Sequence, residues 1–484
     1  MSQLKSLAKQ TAIYGISTIA LRMASWILAP YYSNAIDKVS IGINSELLAM
    51  VALFNVVYMM GMETSFFRFA KDHSSEKVFS ATETSVFVNS LLWSLLFVLF
   101  ATPIVNILQY PGKENYIYIL SSVLFLENIC NIPFASLRNQ NRSMRFMGIK
   151  AINILLNVAL NIFLLSFVLK GKVQLPFSVS SDPVILIFWA NLIPWVLTFL
   201  YFSRDIFTHI TFVNKDLLKD ILRYSAPLII VGMAGMVNET IDRVLLKYML
   251  PYGLERNLEE VAIYSTNYKL AIIMSLAIQG FRMGAEPFFF KEAKSKNSKE
   301  TYAVIMDFFI IVCCILMTLT SILREPIARI NEITFIQGVR ILPILLLANL
   351  FLGIYYNASI WFKLTDNTRK GAWISVIGAG VTILLNIWLI PILGYVGSAL
   401  ATLACYFTMT VISVIWGQRV YPIPYHFRYN ILWIVGSLIF STLSFNYFRD
   451  YTSWLFVLSF IFLLISSYIA YRRFLFIKKK MNTD

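Results

Sequence analysis

The chain of 484 residues is 58% hydrophobic and only 14% charged, with a mean hydropathy of +0.68, whereas soluble domains are about half apolar and about a quarter charged. That balance describes a membrane protein, so the net charge of +15 is read first as topology and gives no case for nucleic acid. The four cysteines (Cys130, Cys313, Cys314, Cys405) fall inside apolar stretches and the histidines (His73, His209, His426) between them, which gives no support to disulfides, a metal cluster or a membrane-embedded histidine relay. No cofactor is expected.

Stretches such as "SVFVNSLLWSLLFVLFATPIV" and "SWLFVLSFIFLLISSYIAY" are long enough to cross a ~30 Å hydrocarbon layer as helices of about 20 residues. No period-two alternation speaks for a barrel. The first apolar stretch follows Lys5 and Lys9, carries Arg22 in its middle and lacks a small-residue cleavage site, so it reads as a retained helix. In chain order, fourteen spans are expected near 11–35, 45–67, 83–105, 115–137, 147–169, 184–202, 226–249, 260–284, 302–322, 338–361, 373–391, 396–416, 429–447 and 453–471. The fold class is an all-α polytopic membrane protein of about 14 transmembrane helices.

An even number of spans puts both termini on one side. Of the 41 basic residues, 26 fall in segments on that side, 8 on the other and 7 within or at the edge of spans. Lys and Arg are retained in cytoplasmic loops, so both termini are expected on the cytoplasmic side. The longest outer connection, "KGKVQLPFSVSSDP", has the length of an ordinary long loop. Membrane glycan polymerases and ligases usually carry catalytic groups on a larger extramembrane part, so the chain is not expected to be an enzyme.

One phrase occurs twice. "MGMETSFFRFAK" runs from Met60 to Lys71 and "MGAEPFFFKEAK" from Met283 to Lys294. "LNIFL" at Leu160–Leu164 matches "LNIWL" at Leu385–Leu389 at nearly the same offset, and Gly148 lines up with Gly371. Correlated matches at one offset indicate an internal repeat. Six intervening spans give both copies the same orientation, hence two parallel six-helix lobes related by a pseudo-twofold axis along the membrane normal. The expected division is 1–205 for the first lobe, 206–420 for the second, and 421–484 for two added helices and a basic tail.

Three passages carry a family resemblance: "NETIDRVLLKYML", "EEVAIYSTNYKLAIIMSLAIQGFRMGAEPFFFKEA" and "ISVIGAGVTILLNIWLIPILGYVGSALATLACY". They resemble the polysaccharide flippases of the multidrug, oligosaccharidyl-lipid and polysaccharide exporter superfamily, and the likeness spans most of the chain. It implies a transporter that moves undecaprenyl-diphosphate-linked oligosaccharide outward by alternating access, for O-antigen, capsule or related glycans. It also implies membrane lipids, and polymerase and chain-length proteins of the same pathway, as partners. Alternatives within the superfamily are a multidrug cation exporter and a lipid II flippase; a glycan polymerase or ligase is disfavoured by the short loops.

A charge near mid-membrane costs at least ~2.5–3.5 kcal/mol on insertion scales, so each one asks for a partner or a purpose. Arg22, Glu127, Glu239 and Lys269 fall near the middle of their spans, with Asp242 and Arg243 a turn further out. Glu239 and Arg243 are four apart and able to pair on one helical face. Arg22, Arg243 and Lys269 are candidates to grip a diphosphate, because guanidinium groups bind phosphate oxygens in bidentate fashion. The resemblance adds that related lipid-intermediate flippases place an arginine in the first span. Glu127, Glu239 and Asp242 are candidates for coupling to H+ or Na+; a neutral ladder of structural ion pairs is the alternative.

Asn153, Asn157 and Asn161 form a polar stripe at spacing four, suited either to sugar hydroxyls or to interhelical hydrogen bonds. The repeated glutamates, Glu63 and Glu286, are expected at the cytoplasmic carbonyl end of the second helix of each lobe, where a carboxylate needs a cation beside it. Arg142 or Arg145, and Arg369 or Lys370, are the symmetric candidates for an inner gate. The tail "YRRFLFIKKK" is expected to anchor topology at anionic lipid.

Overall fold

In the computed structural model, residues 26–173, 181–210, 215–293, 297–323, 333–365 and 367–447 are described, with single positions besides. Arg22, the fourteenth expected span and most of the basic tail lie outside them. The described residues are helical without a strand. The helices are α1 (Lys38–Met59), α2 (Met62–Phe69), α3 (Ser75–Leu99), α4 (Ala101–Ile107), α5 (Glu114–Asn139), α6 (Ser143–Phe163), α7 (Pro183–His209) and α8 (Lys215–Met249). There follow α9 (Leu254–Leu270), α10 (Ile272–Glu292), α11 (Ser298–Ile322), α12 (Leu342–Ala358), α13 (Ile360–Leu364), α14 (Thr368–Leu393), α15 (Tyr395–Val420) and α16 (Phe427–Tyr447).

Among the described residues, ten helical segments are long and apolar enough to cross a membrane, or eleven if α9 and α10, bent by 45°, count as one span. They coincide with the second to twelfth expected spans. The helix α16 falls on the thirteenth. Local chemistry explains several boundaries. Asp37 caps α1 by accepting from the Ser40 amide at 2.8 Å, and Asp182 caps α7 ahead of Pro183 at its first turn, where the missing proline N–H costs nothing. Between α14 and α15 the chain turns at Gly394, and a Cβ at Gly397 would stand 2.5 Å from the Leu389 carbonyl oxygen. Only glycine fits that approach.

The chain divides into two compact units, with the boundary between Val244 and Leu245 inside α8. In the first, α5 is the central helix, with 67% of its most apolar window buried against 22% for α3 and α6. Its core joins Met62, Phe66 and Ile132 to a second cluster around Ile129, Phe146 and Phe202. In the second unit α11 is the most enclosed helix, at 72%, and Ala348, Ile374, Cys405 and Tyr406 form one of its cores. Helix α16 lies along α11, tied by a hydroxyl contact between Ser321 and Ser441 and by His426 Nδ1 at 2.7 Å from Asp307. Leu91, Leu95 and Leu99 on α3 and Leu384 and Trp388 on α14 are exposed, as helix faces turned to lipid are.

The repeat has a structural counterpart. Helices α3 and α11 have the same length of 25 residues and begin and end at the offset of the repeated phrase. The phrase itself folds differently in its two copies. After Met59 the backbone enters the left-handed region at both Met60 (φ 49°) and Gly61 (φ 68°), ending α1 and starting α2. The second copy, from Met283 to Glu292, lies within the unbroken α10.

Candidate functional site

That break corrects the expectation for Glu63. It sits in the first turn of α2, at the amide end, where the helix dipole favours a carboxylate. Its cation is Arg138, in the last turn of α5, and not Arg142 or Arg145. Helix α5 ends at Asn139, three residues before Arg142, so the terminal guanidinium of α5 is the one that meets α2. The Arg138 guanidinium also lies 4.9 Å from the Phe67 ring centroid. Arg142 precedes the first turn of α6, and Arg145 Nε donates to the Tyr201 hydroxyl at 2.5 Å. Both line a cavity of about 420 Å³ with Glu76, Asp205 and His209. The Glu286 side chain lies outside the described residues; Arg369 is exposed, and the Lys370 ammonium is 5.7 Å from the Trp361 ring centroid.

Inside the first unit, charges gather around α5. Glu127 accepts a hydrogen bond from Asn55 of α1 and stands within electrostatic reach of Lys150 of α6. The Lys150 ammonium is held between aromatic faces, 4.3 Å from the Phe134 centroid and 5.0 Å from that of Trp195, geometry that stabilises a cation away from water. Cys130, one turn from Glu127, feels the charges of Glu83, Glu127 and Lys150. Glu83 and Lys150 were legible only with correct helix boundaries. Helix α3 starts at Ser75 and α6 at Ser143, several residues before the apolar runs, which moves both side chains from the expected loop edge to two turns inside.

On α8, Arg243 Nη1 donates to the Glu239 carbonyl oxygen at 2.8 Å and lies 3.1 Å from Asp242 Oδ1. The guanidinium is thus engaged by its own helix turn, with Asp242 buried. Arg243 belongs to the first unit and Lys269, in the last turn of α9, to the second. The asparagine stripe is an interhelical ladder. Asn153 donates to Thr198 Oγ1 at 2.9 Å, Asn157 to Asn191 Oδ1 at 2.9 Å, and Asn161 accepts from the Tyr32 hydroxyl at 2.7 Å. Asn386, the repeat partner of Asn161, likewise donates to the carbonyl four residues back and accepts from Ser398 at 2.7 Å.

Away from this end, Asp182 at the start of α7 accepts from Lys113 Nζ at 2.6 Å and from the Tyr116 hydroxyl at 2.7 Å. Burial pushes its carboxyl up, but these two donors and the Val184 amide outweigh it and hold the carboxyl below its ordinary range.

Two compact units of helices long and apolar enough to cross a membrane define a polytopic helical membrane protein. The lipid II flippase MurJ in an inward closed conformation is similar over 96% of this chain and 100% of its own, with a TM-score of 0.68 and 14% identity. A multidrug resistance MATE family transporter of the MOP superfamily, inward-facing, is similar over 83% and 93%, with a TM-score of 0.63 and 14% identity. At these identities the likeness is one of fold. The model of the polysaccharide biosynthesis protein family matches residues 7–291, and the chain belongs to that family. A protein of the Lsg locus of Haemophilus influenzae is 19% identical over 60% of this chain and 67% of its own length.

Proposed function

We propose that the protein translocates undecaprenyl-diphosphate-linked oligosaccharide across the bacterial inner membrane, with both termini cytoplasmic, to supply O-antigen, capsule or another surface polysaccharide. One observation carries this reading: a chain of the polysaccharide biosynthesis family has, over almost its whole length, the fold of a lipid II flippase. Arg22, Arg243 and Lys269 are assigned to the diphosphate. The Arg243 guanidinium, now resting on a backbone carbonyl and Asp242, can exchange the neutral carbonyl for a charged phosphate oxygen, a stronger acceptor. Glu127, Glu239 and Asp242 are assigned to coupling with H+ or Na+, and Glu127 has the Lys150 charge to trade against. The Glu63–Arg138 pair joins α2 to α5 within one unit, which supports an inner-side structural clamp.

A deletion strain tests the reading. Complete lipid-linked repeat units are expected to accumulate on the inner leaflet, and the wild-type gene should clear them. Exported but unpolymerised units would instead mark a polymerase. Loss of cationic-drug resistance with intact glycan export would mark a multidrug exporter, and loss of viability a lipid II flippase.

A further inference from the structure

Glu83 has no accessible surface, and neither of its carboxyl oxygens has a hydrogen-bond partner. It does not stand alone. Ser90 Oγ on the same helix and Asn128 Oδ1 on α5 are also buried without partners. Glu83, Ser90 and Ser94 share one face of α3, because a spacing of seven returns to nearly the same angle. Ser94 fixes which face that is, since its hydroxyl reaches the Ser121 carbonyl of α5. Asn128 lies seven residues beyond Ser121 on the facing side of α5, and its amide nitrogen is spent on the Leu124 carbonyl at 2.8 Å. The α3–α5 seam therefore presents a file of oxygens, each about 5 Å of helix rise from the next.

An ionised carboxylate buried without a donor would cost several kcal/mol. A bound metal cation would need several oxygens converging on one point, whereas these are strung along the seam. We propose that Glu83 is a proton-binding site inside the first unit, neutral in this structure, with Asn128 and Ser90 as the acceptors that continue it along the seam. Its titratable neighbour is the Cys130 thiol of α5. The other ionisable groups on the packed elements include Glu127 of α5, which faces Lys150 of α6, the Glu63–Arg138 pair of α2 and α5, Asp205 and His209 at the end of α7, and Glu46 of α1, bonded to Tyr110. The repeat sharpens the contrast. Helix α11 buries Asp307 one position along from the equivalent of Glu83, and there His426 supplies a partner.

The proposal does not depend on which substrate is carried, and its test uses none. Infrared spectra of the purified full-length chain in lipid nanodiscs at neutral pH should show the carbonyl stretch of a protonated carboxylic acid. Glu83→Gln is expected to remove one such band, Glu83→Asp to shift it, and Glu76→Gln, at an exposed site, to leave it. Should Glu83→Gln fail to fold, the shift in Glu83→Asp decides alone. An unchanged band in the variants overturns the proposal. So does loss of the wild-type band when potassium is replaced by sodium, which would mark a metal-cation site.

Discussion

Arg138 at the end of α5 and Glu63 in the first turn of α2 form an ion pair roofed by the Phe67 ring. The glutamate is favoured by the amide end of its own helix and by the guanidinium at once. Because the two side chains are 41% and 30% exposed, water screens the pair, and its net worth is about 0.2–1 kcal/mol. Arg138→Ala should lower the melting temperature of the purified protein by about a degree or less and Arg142→Ala should not. The exchange Glu63→Arg with Arg138→Glu should recover part of the loss; no recovery would mean that the pairing contributes nothing.

Gly61 carries a different burden from the glycine at the same point of the second copy. Its backbone is left-handed, and a Cβ there would meet Leu228 Cβ at 3.0 Å. Gly61→Ala should destabilise by about 1–2 kcal/mol for the left-handed backbone alone. Gly148→Ala, in the body of α6 with nothing within 4 Å, should stabilise by about 0.5–1 kcal/mol. Thermal unfolding of the two variants side by side reads the difference.

The depressed carboxyl of Asp182 makes a signed pH prediction. A group whose folded pKa lies below its unfolded value adds stability that is complete above the unfolded value, about 3.9 for aspartate. That stability is lost as pH falls through the folded value. Asp182→Asn should therefore lower the melting temperature at pH 7, and the gap to wild type should close as the sample is acidified below about pH 4. A gap of constant size at all pH values would assign the effect to packing.

Lys150 and Glu127 should behave as one unit. Either Lys150→Met or Glu127→Gln alone leaves a charge in the cluster without its counter-charge, and glycan export in a complemented deletion strain should fall sharply with protein level unchanged. The double variant should lose less than the two single losses combined, by a coupling of about 0.5–3 kcal/mol. Strict additivity would separate the residues.

The sequence made most of the helices legible because apolar runs of membrane length leave few alternatives, and the second to twelfth expected spans each have a helical counterpart. The repeat was legible too, since α3 and α11 share its offset. Several helices are longer than their apolar runs. Helices α3 and α6 begin earlier, at polar serines, and this carried Glu83 and Lys150 inward. The αL pair at Met60–Gly61 was equally hidden, because "MG" occurs in both copies and only one of them breaks. Among the charges, Arg243 and Asp242 meet, as neighbours on one turn of α8, while Glu63 chose the arginine nearest along α5.

Translocation is read by reconstituting the purified protein into vesicles whose inner leaflet holds undecaprenyl-diphosphate-linked oligosaccharide and following capture of that glycan by an external lectin. Protein-dependent appearance of the glycan outside, reduced at least tenfold by Arg22→Ala at equal protein, is the predicted result. Vesicles that retain the glycan while expelling a cationic dye would contradict it.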